Sequence, residues 1–400
     1  MGEVNNKSAL GMWVQNFFGL GLGLIASLFS IRLIVDTSFR MLYPFVPQIS
    51  GGLQVSITVF GWLLMIRSAS AIFSPMIGSL ADRYGRRKIM AFALLSQFIG
   101  MAGITFSRGW WTVLPLFFCG LAVNAYLPAQ QAYISDLVSF ERRGRALAST
   151  DVAFAVSGMV MMPIIGWLIN AYGWRAPFLG LSILSVFIAI LTWSYLPETK
   201  KRTSEKQASA NMWELLRRRD IQASMGVSIL FFIGVGIYMT FWSIWLTEDF
   251  GFDALDSGLM AQQIGIAELF GAVLAGLVVD RFGKRRTSLT GVLASAIMFA
   301  LIPLARENLL AIRILLVITV FWVELGIVAL FPLYGEQAPN ARATIFALIA
   351  LGNGIGLAVG PLITTSLWDL YGLGAITAVA AISLILATGL IWFFLNDRVE

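Results

Sequence analysis

Histidine is absent from this 400-residue sequence, cysteine occurs once, and charged residues make up only 12%. Without histidine, the side chain most often used to move protons near neutral pH is missing, so any proton handling falls to carboxylates. The single cysteine, Cys119, excludes an intramolecular disulfide and a cysteine-built metal site. There is no Gly-x-x-x-x-Gly-Lys phosphate loop, no cluster of metal ligands and no nucleophile with a histidine base, so no enzyme activity, metal or cofactor is expected. The shortage of charge restricts the chain most. Soluble domains are roughly one quarter charged, whereas this sequence is 58% hydrophobic with a mean hydropathy of +0.81. Its expected solvent is a lipid bilayer.

A helix needs about 20 mainly apolar residues to cross the hydrocarbon layer. Twelve stretches qualify, near 23–48, 55–80, 87–106, 111–137, 144–170, 175–196, 222–248, 255–280, 286–305, 310–335, 342–370 and 374–395. Barrel strands would show alternating segments of about ten residues, and the unbroken apolar run from Ile376 to Leu395 is incompatible with that pattern. The expected fold is an all-α membrane protein of twelve transmembrane helices. Short loops make sequential helices antiparallel neighbours and group them into two six-helix bundles. The expected divisions are an interfacial segment 1–22, a first bundle 23–196, a polar linker 197–221, a second bundle 222–395 and a tail 396–400. Within the linker, Trp213 to Arg217 can form a short helix on the membrane surface.

The net charge of +6 is a matter of topology and implies no nucleic-acid partner. One set of alternate loops, with both tails, holds 21 Lys and Arg residues, against four in the other set (Arg108, Arg175, Arg306 and Arg313). By the positive-inside rule both termini and the linker are expected in the cytoplasm, with the chain spanning a plasma or inner membrane many times. No cleavable signal is expected before the first span.

One element occurs twice. Gly78-Ser-Leu-Ala-Asp82-Arg83-Tyr-Gly85-Arg86-Arg87-Lys88 returns as Gly276-Leu-Val-Val-Asp280-Arg281-Phe-Gly283-Lys284-Arg285-Arg286, offset by 280 − 82 = 198 residues. Gly158 and Pro163 return as Gly356 and Pro361 at the same offset, with Gly360 added in the second copy. Duplicated membrane halves around a shared central pathway are the usual plan of secondary transporters. The repeated loop resembles the signature that follows helices two and eight in the major facilitator superfamily. The resemblance runs the length of the chain and is closest to the twelve-helix drug/proton antiporters, whose helix-five motif is matched by Gly158, Pro163 and Gly166, with Met162 in place of its second glycine. Leu116 stands where a further family motif has an arginine in helix four. The resemblance implies alternating access, and a conformational latch formed by Gly78, Asp82, Arg83, Gly85, Arg86, Arg87, Asp280, Arg281, Gly283 and Arg285. Asp136 and Glu336, at the ends of helices four and ten, are the carboxylates named as partners for its basic residues. Gly158, Pro163, Gly356, Gly360 and Pro361 are the expected packing and gating positions.

A charge at the bilayer centre costs several kcal/mol on insertion scales, so each needs a reason. Arg32, Asp36 and Arg40 follow four-residue spacing and share one helix face. That trio is read as a substrate or coupling site, or alternatively as a buried structural triad whose last arginine reaches to water. Arg67, Glu268 and Glu324 are further candidates, and Asp151 is open between structure and function. Glu324 lies among Trp322, Val323 and Leu325, a setting that suits proton exchange. Asn124 and Gln131 share one face of helix four, with Tyr126, Gln130 and Tyr133 on another. Tyr238, Trp242 and Trp245 follow i, i+4, i+7 spacing and form a candidate aromatic wall for amphipathic or cationic organic molecules. Gln262 and Gln263 are too polar for lipid.

The expected activity is proton-coupled export of small amphipathic organic compounds by a monomer. The alternatives are a carrier or facilitator for an anionic metabolite or lipid, and a non-transporting membrane sensor built on a carrier fold.

Overall fold

The computed structural model describes residues 9–198 and 215–397. Most of the expected linker, Trp213 included, therefore lies outside the described residues, as does the side chain of Asp82.

The described residues are almost wholly helical. In chain order the helices are α1 (Ala9–Phe18), α2 (Leu22–Arg40), α3 (Val46–Leu53), α4 (Ile57–Ala69), α5 (Ser74–Tyr84), α6 (Arg86–Phe106), α7 (Val113–Leu137), α8 (Phe140–Val156), α9 (Met162–Tyr172) and α10 (Arg175–Tyr195) in the first half. The second half holds α11 (Arg219–Phe250), α12 (Ala254–Phe282), α13 (Lys284–Leu301), α14 (Leu309–Gln337) and α15 (Arg342–Phe394). Among the described residues ten helices are long and apolar enough to cross a membrane, and the bent pair Val46–Leu53 and Ile57–Phe73 makes up to eleven. The twelfth appears because α15, 53 residues long, is two helices folded back at Gly372, where φ is 64° and ψ −164°. The twelve-helix fold expected from the sequence is the one found, with one difference in the first span. Its helix stops at Arg40, and after a turn over 41–45 a separate short helix carries the chain from Val46 to Leu53.

The duplication extends to backbone geometry. Gly85 and Gly283, the turn glycines of the repeat, have φ of 102° and 89°, a region that costs little only for glycine. Gly173 and Gly372 form a second such pair at 85° and 64°. In each half the basic loop grips its own bundle in the same way. Arg86 reaches Asp136 at 3.6 Å, and Lys284 pairs with Glu336. Arg87 donates to the Leu196 carbonyl at 2.9 Å, and Arg285 donates to the Trp392 carbonyl. Both carboxylates named from the sequence thus meet the basic loop, within one half in each case. Arg83 and Arg281 lie against the neighbouring rings of Tyr84 and Phe282, and Asp280 is exposed.

The two halves meet along two seams, α4 with the first arm of α15 and α8–α9 with α12. Small residues set how close the seams come. A Cβ on Gly61 would fall 1.9 Å from Thr365 Oγ1, one on Gly166 2.3 Å from the Ala254 carbonyl, and one on Gly258 2.6 Å from the Met162 carbonyl. Pro163 packs at the same place, its Cα 3.1 Å from that Gly258 position. Gly356 and Gly360 seat α15 on α11 instead, where an added Cβ would fall 2.7 Å from the Ile229 and Ile233 carbonyl oxygens respectively.

Cross-half hydrogen bonds run from Ser243 Oγ to the Tyr43 carbonyl (2.8 Å), from Thr58 Oγ1 to the Thr365 carbonyl (3.1 Å) and from Asn170 Nδ2 to Asp253 Oδ2 (2.9 Å). All lie toward the face opposite the repeated loops, called here the far face. Toward the motif face the packing loosens. A Cβ on Gly78 or Gly276 would meet nothing within 4 Å. The cross-half hydrogen bonds thus close the far face, and Gly78 lines a cavity within the first half.

Candidate functional site

Glu268 stands halfway along α12 and carries the principal link between the halves at mid-depth. Arg40 Nη2 lies 2.8 Å from its Oε1 and 2.7 Å from its Oε2. Both side chains are withdrawn from solvent, so this is a buried ion pair rather than a screened surface contact. An arginine reaching to water is thereby excluded for Arg40. Its guanidinium sits 4.9 Å over the Phe154 ring, and Gly158 leaves the space it occupies, since a Cβ there would fall 2.9 Å from Arg40 Cζ. Ser157–Met161 is a π turn, a form that concentrates at functional sites. Within it, the Met159 carbonyl accepts from Gln262 Nε2 at 2.8 Å, adding a second cross-half bond beside the ion pair. A Gly158→Ala change is expected to displace the guanidinium and lower transport about tenfold, the size of one weakened charged hydrogen bond. Transport assayed at matched protein level in membrane vesicles checks this, and an unchanged rate would contradict it.

A cavity of about 30 Å³ adjoins the pair, lined by Arg40, Tyr43, Tyr238, Trp242, Ile264 and Glu268 among others. That volume suits one or two waters rather than an organic ligand. Arg40 Nη1 and the Tyr43 hydroxyl, both buried, have no hydrogen-bond partner among the described residues. Two members of the aromatic series, Tyr238 and Trp242, are therefore beside the charges, with the Tyr238 hydroxyl donating to the Leu316 carbonyl at 2.8 Å. Trp245 is elsewhere. It is fully buried in its own half, stacked on Phe241, with Nε1 donating to Asp249 Oδ2 at 2.9 Å.

Arg32 and Asp36 lie on the same face of α2 as Arg40 and are joined at 2.8 Å. Arg32 also reaches Asp151 on α8 at 3.3 Å and Gln130 on α7 at 3.4 Å, and Gln130 Nε2 donates to the Leu28 carbonyl at 3.0 Å. Gln130 is thus the helix-four amide that meets the charges, while Gln131 is exposed. Asn124 donates to Ser70 Oγ at 2.9 Å and lines a separate cavity of about 250 Å³ between α5 and α7, together with Ser74, Gly78 and Arg86. Arg67 is buried and turned into its own half, 4.3 Å over Phe39 and 5.7 Å over Tyr43. Among the described residues it has no carboxylate within ion-pair distance. Glu324 is near the middle of α14 beside Gly271, whose added Cβ would fall 3.1 Å from Glu324 Cβ, and the charges of Glu268 and Arg40 act on it. Among the described residues Glu324 makes no hydrogen bond or ion pair. Gln263 is half-buried.

Two helical halves sharing an internal repeat, closed on one face and joined at mid-depth by a buried ion pair, define a membrane carrier. The sequence profile of the Major Facilitator Superfamily matches residues 28–226 and again 224–400, and the chain belongs to that family. It is 25% identical over 411 residues to a multi-drug resistance efflux pump homologue of Lactococcus lactis subsp. lactis, covering 98% of this chain and 97% of the relative. It is 22% identical over 378 residues to the class G tetracycline resistance protein of Vibrio anguillarum, covering 92% and 91%. The fold also matches an inward-facing, unoccupied bacterial homologue of the human lysosomal transporter Spinster, with a TM-score of 0.74, 16% identity and coverage of 93% and 94%. The chain is a multi-pass integral membrane transporter and not an enzyme.

Proposed function

We propose that this transporter exports small amphipathic organic compounds in exchange for protons, by alternating access. The motif face, where lysine and arginine gather, is read as cytoplasmic, which makes the present form inward-facing. The observation that carries the reading is the Arg40–Glu268 pair. It joins the halves at mid-depth, has Tyr238 and Trp242 beside it, and acts on Glu324, which has no partner among the described residues. A cationic amphiphile drawn to the carboxylates competes with Arg40, and a proton on Glu268 releases Arg40 in the same way. Mutual exclusion of that kind at one carboxylate is the minimum requirement for exchange. The relatives named for multi-drug efflux and for tetracycline resistance, 25% and 22% identical, support the substrate class. The small water-sized cavity means that a ligand is admitted only where the halves part.

The test is ethidium movement in inverted vesicles carrying the protein, with an imposed acid-inside pH gradient. Uptake driven by the gradient and abolished by nigericin is expected; movement indifferent to the gradient contradicts the proposal. A second reading, a carrier for an organic anion, is favoured by the buried Arg67 and its lack of a carboxylate partner among the described residues. Gradient-independent movement of an organic anion would select it.

A further inference from the structure

Arg67 is 2% exposed, and among the described residues nothing accepts a hydrogen bond from its guanidinium. Aromatic rings cover it, with Cζ 4.3 Å from the centroid of Phe39 and 5.7 Å from that of Tyr43. A ring face attracts a cation, but it offers no lone pair to the five N–H donors of the guanidinium. The carboxylates on and against the neighbouring stretch of α2 are engaged elsewhere, Asp36 with Arg32 and Glu268 with Arg40. On the α7 side the charge of Arg67 reaches the buried thiol of Cys119, a weak acceptor.

The root of the side chain is fixed. Gly120 lets α7 close on α4 at this residue, since a Cβ there would fall 2.1 Å from the Arg67 carbonyl oxygen. Ser70 Oγ donates to the same carbonyl at 2.7 Å and accepts from Asn124 Nδ2 at 2.9 Å. Two further donors share the deficit. Arg40, which ends α2, has Nη1 buried without a partner among the described residues, and so has the hydroxyl of Tyr43 in the turn that follows. Arginine keeps its charge at any accessible pH, and a buried charge without a counter-charge is strongly destabilising. Water would bring donors of its own to a place already short of acceptors, whereas a halide ion only accepts.

We propose that Arg67 holds a small inorganic anion, of which chloride is the type, as its counter-ion within the first half. The guanidinium N–H groups bind it, and the Tyr43 hydroxyl is a second donor. The anion cancels the charge of Arg67 beside the Arg40–Glu268 pair, and the site stands whichever compound is transported.

Equilibrium dialysis of the purified, detergent-solubilised full chain against radioactive chloride, with gluconate as the balancing anion, counts the site. Saturable binding that approaches one chloride per chain is expected, with a melting temperature that rises with chloride at constant ionic strength. Arg67→Gln is expected to weaken binding about tenfold or more and to abolish the thermal shift. Arg67→Lys is expected to keep binding within about tenfold of the parent, because a spherical ion needs the charge and not the planar fork that suits a carboxylate. Bromide should displace chloride, and equimolar benzoate should not. No saturable binding by the parent, or binding and thermal shift unchanged in Arg67→Gln, overturns the proposal. Displacement by benzoate overturns it too, since Arg67 would then belong to the carboxylate of a transported organic anion. If Arg67→Gln does not fold, the parent count and the affinity of Arg67→Lys decide: no bound chloride, or an affinity identical to the parent's, counts against Arg67 as the seat.

Discussion

Glu268→Gln is expected to reduce transport by on the order of a hundredfold and to lower thermal stability, because it leaves the Arg40 guanidinium buried without a counter-charge. Breaking one side of a buried pair costs about 3–5 kcal/mol, whereas replacing both partners is often nearly neutral. Arg40→Gln is expected to behave similarly, since Glu268 then stands alone. The double variant Arg40→Gln/Glu268→Gln separates stability from function. Its melting temperature in detergent should return toward that of the parent, because no buried ion is left unpaired, yet transport should stay at background because the carboxylate proposed to bind proton or substrate is gone. A double-mutant cycle on stability should therefore give a coupling energy of about 2 kcal/mol or more, the upper range seen for residues in contact. Additive losses would mean that the two side chains are not coupled in the membrane-embedded protein. Recovery of transport by the neutral pair would mean that the link is only structural.

Much of this arrangement is legible in the sequence because a membrane makes charge conspicuous. Arg32, Asp36 and Arg40 stand out at four-residue spacing, and the structure places all three on one buried face of α2. The halves were visible in the 198-residue offset, which reappears in the paired positive φ angles of Gly85 and Gly283. Partnership was not visible. Arg40 and Glu268 are 228 residues apart, and no local pattern states which acid an arginine will find across a seam.

Helix phase was the other missing quantity. The helix carrying Asn124, Gln130 and Gln131 is apolar on nearly every side, so the pattern gave no reason to prefer Gln130 to its neighbour; burial and the bond to the Leu28 carbonyl decide it. Trp245 continues the spacing of Tyr238 and Trp242, but its indole N–H turns to the exposed Asp249, one turn on in the second half. Arg67 was read toward the centre for its charge alone, and the rings of Phe39 and Tyr43 take it into its own half. The π turn at Ser157–Met161 and the 3₁₀ turn at Ser70–Phe73 shift facing within a span, and composition does not announce either.

Alternating access as proposed requires the far face, closed in this form, to open. Its closing contact is local and accessible: Asn170, near the end of α9, donates to Asp253, the N-cap of α12, beside the close approach of Gly166 to the Ala254 carbonyl. Cross-linking reports on this pair cleanly because the native Cys119 is buried in the first half. The Asn170→Cys/Asp253→Cys variant loses one helix cap, worth about 1 kcal/mol, and should still transport when reduced. A short bifunctional thiol reagent spanning the two cysteines should stop ethidium transport in vesicles, and cleavage of the bridge by reductant should restore it. Rigid inter-bundle closure then holds the carrier shut on its far face. Undiminished transport with the bridge in place, confirmed by mass spectrometry of the same sample, would contradict alternating access between these two halves.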